Sequence, residues 1–78
     1  MGLTAEQCRA LRLLAGNPGG CTESILQVHG FAIEMLARLI IDGFATAEPE
    51  RVRGNGRAIE VTRVMITDVG RRALTTPP

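Results

Sequence analysis

The side chains best suited to chemistry in this chain are arginines in its second half. Arg51, Arg53 and Arg57 flank the tripeptide Gly54-Asn55-Gly56. A guanidinium group is planar and permanently charged, and it can bind a phosphate or the edge of a base through two hydrogen bonds. The spacing therefore predicts a hairpin with a basic tip that attracts a polyanion or a partner protein. A hairpin whose charge serves only solubility has the same pattern and stays an alternative.

Charge is unevenly distributed, although the formal net charge is only +1. Residues 1–50 hold three arginines and six carboxylates, a net of −3, whereas residues 51–78 hold six arginines and two carboxylates, a net of +4. All nine basic residues are arginines, a bias that a GC-rich genome also produces. Aromatic residues make up only 3% of the chain, so we expect no base-stacking platform for single strands.

Other arrangements of reactive residues are weaker. Ser24, His29 and Asp42 could be written as a catalytic triad, but nothing in their spacing orients them. Cys8 and Cys21 lack the paired spacing of zinc ligands, and the chain has one histidine. We expect Cys8 to be a buried thiol, with a Cys8–Cys21 disulfide as the less favoured alternative. A domain this small offers little room for a pocket, so we expect no enzyme activity. We also expect no metal and no cofactor.

The first half of the chain predicts three helices. Thr4 and Gln7 have the spacing of a capping box at the start of the first helix, and Gly16 is expected to end it in the left-handed conformation. A short second helix is predicted over about residues 22–29 and a third over about residues 31–42. Two short helices joined by a glycine-containing turn are typical of a helix-turn-helix, and also of an ordinary helical hairpin.

Apolar residues surround much of the third helix, so we expect it to be largely buried. The predicted stripe and the residues that widen it are Ile33, Leu36, Ala37, Ile40, Met35, Leu39 and Ile41. Gly43 is expected to end this helix with a left-handed residue, and Phe44 is expected to fold back on Leu39. An apolar surface that binds another protein is the alternative interpretation of Met35, Leu39 and Ile41.

A hairpin follows the third helix. The pair Asn55-Gly56 indicates a type I′ turn, in which partner positions on the two strands sum to 111. That register places Arg51 opposite Glu60 and Glu48 opposite Arg63, two favourable charge pairs.

Pro49 cannot donate a hydrogen bond to the ladder, so a bulge or gap is expected near Glu48–Pro49. We expect the outer hairpin, residues 50–60, to behave as a semi-independent flap. Thr67 is expected to cap a short last helix, and residues 75–78 are expected to form a flexible tail.

Two segments resemble a known family. Leu-Ala-Arg-Leu-Ile-Ile-Asp-Gly-Phe (36–44) runs into the hairpin, and Ile-Thr-Asp-Val-Gly-Arg-Arg-Ala-Leu (66–74) leaves it. After three helices, this order resembles the winged helix-turn-helix domain of bacterial MarR-like regulators. Over about residues 3–74 the resemblance implies an α+β fold, a single winged helix-turn-helix domain. It would have three helices, a two- to three-stranded antiparallel wing and a short C-terminal helix, with any third strand near Gly20-Cys21.

In that family the third helix typically enters the major groove of duplex DNA, and the wing lies along the adjacent backbone or in the minor groove. The resemblance therefore implies a small DNA-binding transcriptional regulator. The DNA-contacting residues that it implies lie around the third helix and on the wing: Gln27, His29, Ala32, Glu34, Met35, Arg38, Arg51, Arg53, Asn55, Arg57 and Arg63. Only Arg38 is basic in the third helix, and an outward Glu34 would repel phosphates, so we expect slight sequence discrimination.

Several alternatives stay open at this point. A winged helix that binds a protein partner and no nucleic acid is favoured by Glu23, Glu34 and Asp42 near the recognition surface. The apolar excess of the first and third helices is compatible with a homodimer, and the chain could be a fragment of a larger protein. No apolar run reaches about 18 residues, and no basic-then-apolar N-terminus is present. We therefore expect a cytoplasmic protein with no membrane span and no secretory signal.

Overall fold

The computed structural model describes residues 3–75, which form four helices and three strands in an α+β arrangement. In chain order these are α1 (Ala5–Ala15), β1 (Cys21–Thr22), α2 (Glu23–Val28), α3 (Ile33–Ile41), β2 (Ala45–Gly54), β3 (Arg57–Ile66) and α4 (Asp68–Thr75). The strands form one antiparallel sheet in the order β1-β3-β2. The short strand expected at Gly20-Cys21 is present one residue later. The β2–β3 hairpin projects from the helices, and the molecule measures 48 × 21 × 20 Å.

The first two helices begin at threonine caps. Thr4 Oγ1 accepts from the Gln7 N–H at 3.1 Å, and Gln7 Oε1 accepts from the Thr4 N–H at 2.9 Å, which confirms the capping box. At α2, Thr22 Oγ1 accepts from the Ile25 N–H at 3.3 Å. Each cap satisfies a backbone donor that has no partner within its helix and contributes about 1 kcal/mol.

The predicted left-handed conformation of Gly16 is wrong. Gly16 has φ −79° and ψ −4°, so the chain continues in the right-handed region. The helix is ended instead by Asn17, whose Nδ2 donates to the Leu13 carbonyl at 2.7 Å and whose N–H donates to the Leu14 carbonyl at 3.1 Å. Because these bonds satisfy the last carbonyls, no left-handed residue is needed until Gly20 (φ +81°).

Helices α2 and α3 end in the same way. Gly43, with φ +84°, donates to the Ile40 carbonyl, and Phe44 donates to the Leu39 carbonyl. These are the two bonds of a Schellman motif, so the predicted end of α3 is confirmed. The end of α2 repeats the pattern through Gly30 (φ +90°). Each ending turns the chain sharply and directs a phenylalanine at the next position toward the core.

The core lies between the helices and the base of the sheet. Its buried apolar residues are Ala10, Leu11, Leu14, Cys21, Leu26, Phe31, Leu36, Leu39, Ala45 and Val64. The expectation that α3 is largely buried is wrong, because Ile33 and Ile41 are 46% and 74% exposed. A nine-residue helix in so small a domain has neighbours on one side only, so part of its apolar surface meets solvent.

The expectation for Cys8 is also wrong. Cys8 is only partly buried, whereas Cys21 lies in the core, and both are free thiols. Cys8 lies at the edge of the buried stripe of α1, whose buried residues are Ala10, Leu11 and Leu14.

The predicted register of the β2–β3 hairpin is confirmed from Ala45 opposite Ile66 to Gly54 opposite Arg57. Asn55 and Gly56 both have positive φ, as a type I′ turn requires. The predicted bulge at Pro49 is wrong, since Pro49 pairs directly with Thr62.

No bulge is needed at Pro49, because hydrogen-bonded and non-hydrogen-bonded residue pairs alternate along an antiparallel ladder. The pair that flanks a two-residue turn is hydrogen-bonded, so every second pair is hydrogen-bonded and Pro49–Thr62 is one of the others. The missing N–H would point away from β3 at the edge of the sheet, where proline is tolerated. Semi-independent motion of residues 50–60 stays a prediction.

Helix α4 is held against the turn that ends α3. Thr67 Oγ1 donates to the Gly43 carbonyl at 2.6 Å and accepts from the Gly70 N–H at 3.0 Å, which confirms the predicted cap. Gly70 lies so close to Phe44 that a Cβ there would overlap the Phe44 carbonyl oxygen. Of the predicted tail, Thr75 is the last residue of α4, and residues 76–78 lie outside the described part of the chain.

Candidate nucleic-acid interface

The register of the hairpin decides which arginines share a face. Ala45 and Val64 are buried, and Ala47 and Val64 line a groove together with α3. Side chains alternate along a strand, so counting by twos from Ala47 places Arg51 and Arg53 on this same side, nearer the tip. We call it the inner face, defined by Ala45, Ala47, Pro49, Arg51 and Arg53 and by their partners on β3.

Arg57 pairs with Gly54, which directly follows Arg53 and so lies on the opposite side of the hairpin. Arg57 therefore lies on this opposite side, which we call the outer face. The three arginines that the sequence groups together are thus divided, two on one face and one on the other.

The guanidinium groups of the outer hairpin are free of internal partners. Arg51, Arg53 and Arg57 are exposed, and within residues 3–75 none of them forms an ion pair or side-chain hydrogen bond. Glu60 lies opposite Arg51, as predicted, but no ion pair joins them. These three charges therefore remain available to an external anion.

Arg63 has a different environment. Its Nε donates to Glu50 Oε2 in an ion pair, and its Nη1 donates to the carbonyls of Gly19 at 3.2 Å and Gly20 at 3.4 Å. The sequence places Glu48 opposite Arg63, and the register agrees, but the ion pair forms with Glu50, the diagonal neighbour on the same face. Arg63 thereby connects the hairpin to the loop between α1 and β1.

The exposed surface of α3 consists of two ridges. Ile33, Ala37 and Ile41 are exposed and spaced by four residues, so they form an apolar ridge, of which Ile33 and Ala37 also line the groove. Glu34 and Arg38, also four apart and exposed, form the adjacent polar ridge. The polar ridge holds one donor group, and the apolar ridge holds none.

A groove of about 80 Å³ separates α3 from the inner face of the hairpin. It is lined on the helices by Glu23, Ile33, Leu36, Ala37 and Ile40 and on the sheet by Ala47, Thr62 and Val64. Apart from Glu23 and Thr62 the lining is apolar, and it contains no basic residue, so the groove has little means of holding an anion by itself.

The remaining predicted contact residues are scattered. Gln27 and His29 are exposed at the end of α2, and Ala32 is the exposed N-cap of α3. Asn55 lies in the turn at the hairpin tip. Met35 packs against the core, so most of its side chain is turned away from both ridges.

The sequence places Ile33 and Ala37 in the buried stripe and offers Ile41 as an exposed apolar residue only together with Met35 and Leu39. The structure exposes Ile33, Ala37 and Ile41 and buries Leu39. The spacing of Ile33, Ala37 and Ile41 is visible in the sequence, but the apolar residues of α3 surround so much of the helix that periodicity does not say which side is buried.

The described residues give little support to other kinds of site. Residues 3–75 contain no group of three His, Cys, Asp or Glu side chains placed to hold a metal ion. Ser24, His29 and Asp42 are exposed, and no hydrogen bond links their side chains. Among the described helices, none combines the length and apolar character required to cross a bilayer.

No family model, no curated protein and no solved structure matches this chain. Interpretation of the site therefore depends on the topology and on the placement of its charged and apolar side chains.

Proposed function

We propose that this chain is a winged helix-turn-helix module that binds duplex DNA and acts as a small transcriptional regulator. The observation that carries the proposal is the position of Arg51 and Arg53. Both are exposed and unpaired, and both lie on the hairpin face that continues the surface beside α3. A duplex seated on α3 would meet these two charges on the same side of the protein.

The order of elements supports the proposal. Helices α2 and α3 are joined by a short turn, and an antiparallel hairpin follows, which is the order of a winged helix. An α-helix is about 10–12 Å across with its side chains, so α3 matches the roughly 12 Å width of the major groove. From Ala47 to Gly54 the hairpin extends about 24 Å, far enough to reach the backbone beyond that groove.

The binding chemistry expected of this surface is largely electrostatic. Each phosphate that an arginine neutralises releases condensed counterions, so the affinity falls steeply with salt. Arg38 is the single basic residue of α3, and Glu34 beside it opposes phosphate contact. Hydrogen-bonded readout of base edges should therefore be slight, and backbone contacts from the hairpin should dominate the affinity.

The test is the salt dependence of binding to a labelled duplex of about two helical turns. Between about 50 and 200 mM salt, the slope of log K against log salt reports the number of phosphates neutralised. The double variant Arg51→Ala/Arg53→Ala is expected to flatten this slope by roughly 1.8, and a further Arg57→Ala substitution to flatten it by roughly 0.9 more. Circular dichroism should show an unchanged fold, because these side chains are exposed.

A matched control distinguishes the effect of arginines on the hairpin from the effect of the protein's net charge. Arg9→Ala/Arg12→Ala removes two exposed arginines from α1 and changes the net charge by the same amount. This double variant should keep the wild-type slope. An equal loss of slope in both double variants, or none in the hairpin variant, would contradict the proposal.

A second candidate function rests on the apolar ridge. Ile41 is 74% exposed on the same helix as the exposed Glu34, a combination that also suits a protein partner. On this alternative the module binds another protein, or a second copy of itself, and no nucleic acid. Partner capture that survives nuclease treatment, together with no binding of duplex DNA, would favour it. For the DNA-binding module we also propose the cytoplasmic location that is expected from the sequence.

A further inference from the structure

We infer that α3 recognises the C5-methyl groups of thymine, so that the preferred ligand of this module is A·T-rich duplex DNA. The inference rests on the proposed function and specifies which DNA the site would prefer. It starts from the apolar ridge of Ile33, Ala37 and Ile41, all three exposed, with Ile33 and Ala37 at the groove beside the sheet and Ile41 74% exposed.

The major groove offers one apolar group, the thymine methyl, and its other distinguishing features are hydrogen-bond donors and acceptors. A ridge of two isoleucines and one alanine cannot pair with those donors and acceptors. It can exclude water from a methyl group, and burial of one such carbon changes affinity by roughly fourfold. Residues spaced by four on a helix lie about 6 Å apart along its axis, and base pairs lie about 3.4 Å apart, so neighbouring residues of the ridge can meet methyl groups about two base pairs apart.

The hairpin favours the same ligand for a separate reason. Arg51 and Arg53 extend from the inner face beyond the groove beside α3. If they enter the minor groove, they meet the strongest negative potential where that groove is narrow, as it is in A·T tracts. The charge of the hairpin also argues for a polyanion as the occupant of this surface, ahead of an apolar protein segment.

The experiment compares two duplexes of identical A·T-rich sequence, one with thymine and one with every thymine replaced by uracil. Uracil keeps the same hydrogen-bonding groups and lacks only the methyl. At one fixed salt concentration the uracil duplex should bind roughly fourfold more weakly for each methyl contacted, with the same salt slope. The change is made in the DNA, so folding of the protein is not affected.

Two variants assign the effect to the ridge. Ile41→Ala should reduce the ratio between the thymine and uracil affinities toward one, whereas Val69→Ala, at an exposed apolar residue of α4, should keep the wild-type ratio. Equal binding of the two duplexes by the wild-type protein would refute methyl recognition and leave the proposed function standing. A ratio that survives Ile41→Ala would also refute it, since the preference would then arise from DNA shape. If neither duplex binds, the proposed function itself fails.

Discussion

Replacing Arg63 with alanine is expected to destabilise the β2–β3 hairpin without changing the salt dependence of DNA binding. The guanidinium holds the Glu50 carboxylate and the carbonyls of Gly19 and Gly20, which lie 44 and 43 residues away in sequence. It is therefore a long-range link between the hairpin and the loop before β1. Because its Nε and Nη1 donate to partners inside the protein, Arg63 has few donors available to bind a phosphate.

The magnitude follows from the exposure of the partners. A hydrogen bond to a charged group contributes about 1.5–3 kcal/mol when well shielded. The Arg63 and Glu50 side chains are 31% and 44% exposed, so screening reduces their ion pair to about 0.2–1 kcal/mol. The two carbonyl contacts are long, and water can replace them. We expect Arg63→Ala to lower the free energy of unfolding by about 0.5–1.5 kcal/mol in total.

The assay is urea denaturation followed by circular dichroism, with hydrogen exchange to locate the loss in the hairpin amides. Arg63→Lys keeps the charge but not the planar fork, so it should retain only part of the stabilisation. Arg53→Ala is the matched control, because that side chain has no internal partner. It should change the stability by less than about 0.5 kcal/mol and flatten the salt slope by about 0.9.

The opposite pattern would refute this reasoning. If Arg63→Ala leaves the stability unchanged and flattens the salt slope as much as Arg53→Ala does, then Arg63 contacts phosphate, as the sequence resemblance implied. A double-mutant cycle with Glu50→Gln provides an independent check, for which we expect a coupling of about 0.2–1 kcal/mol.

Four further predictions concern single positions. Gly70→Ala should destabilise the protein by about 1–3 kcal/mol in denaturation, because overpacking against the Phe44 carbonyl outweighs the gain in helix propensity. Gly16→Ala, at a right-handed position with no contact under 3.7 Å, should instead be neutral or stabilising by up to about 1 kcal/mol. Pro49→Thr should leave the stability within about 1 kcal/mol but add a free N–H at the sheet edge, so light scattering should detect more self-association. Glu34→Gln should tighten binding to duplex DNA by roughly twofold in a titration, since it removes one repulsive charge from the exposed side of α3.

Features set by a few neighbouring residues could be predicted from the sequence. The capping box at Thr4, the left-handed Gly43 and the turn at Asn55-Gly56 each depend on interactions within about one turn of chain. The hairpin register follows from its turn, and the same register already places Pro49 at a position that needs no N–H. The predicted bulge was therefore wrong for a local reason that the sequence contained.

The candidate site could be predicted only in part. Arg51 and Arg53 were identified by their charge and spacing, and the structure leaves both free. The tertiary structure decided which side of α3 faces solvent, because its apolar residues nearly surround the helix and only the packing of neighbours selects among them. It also decided the partner of Arg63, since the loop carbonyls that this arginine binds are distant in sequence and approach only when the chain has folded. Short-range geometry is encoded residue by residue, whereas burial and long-range contacts depend on the packing of all elements at once.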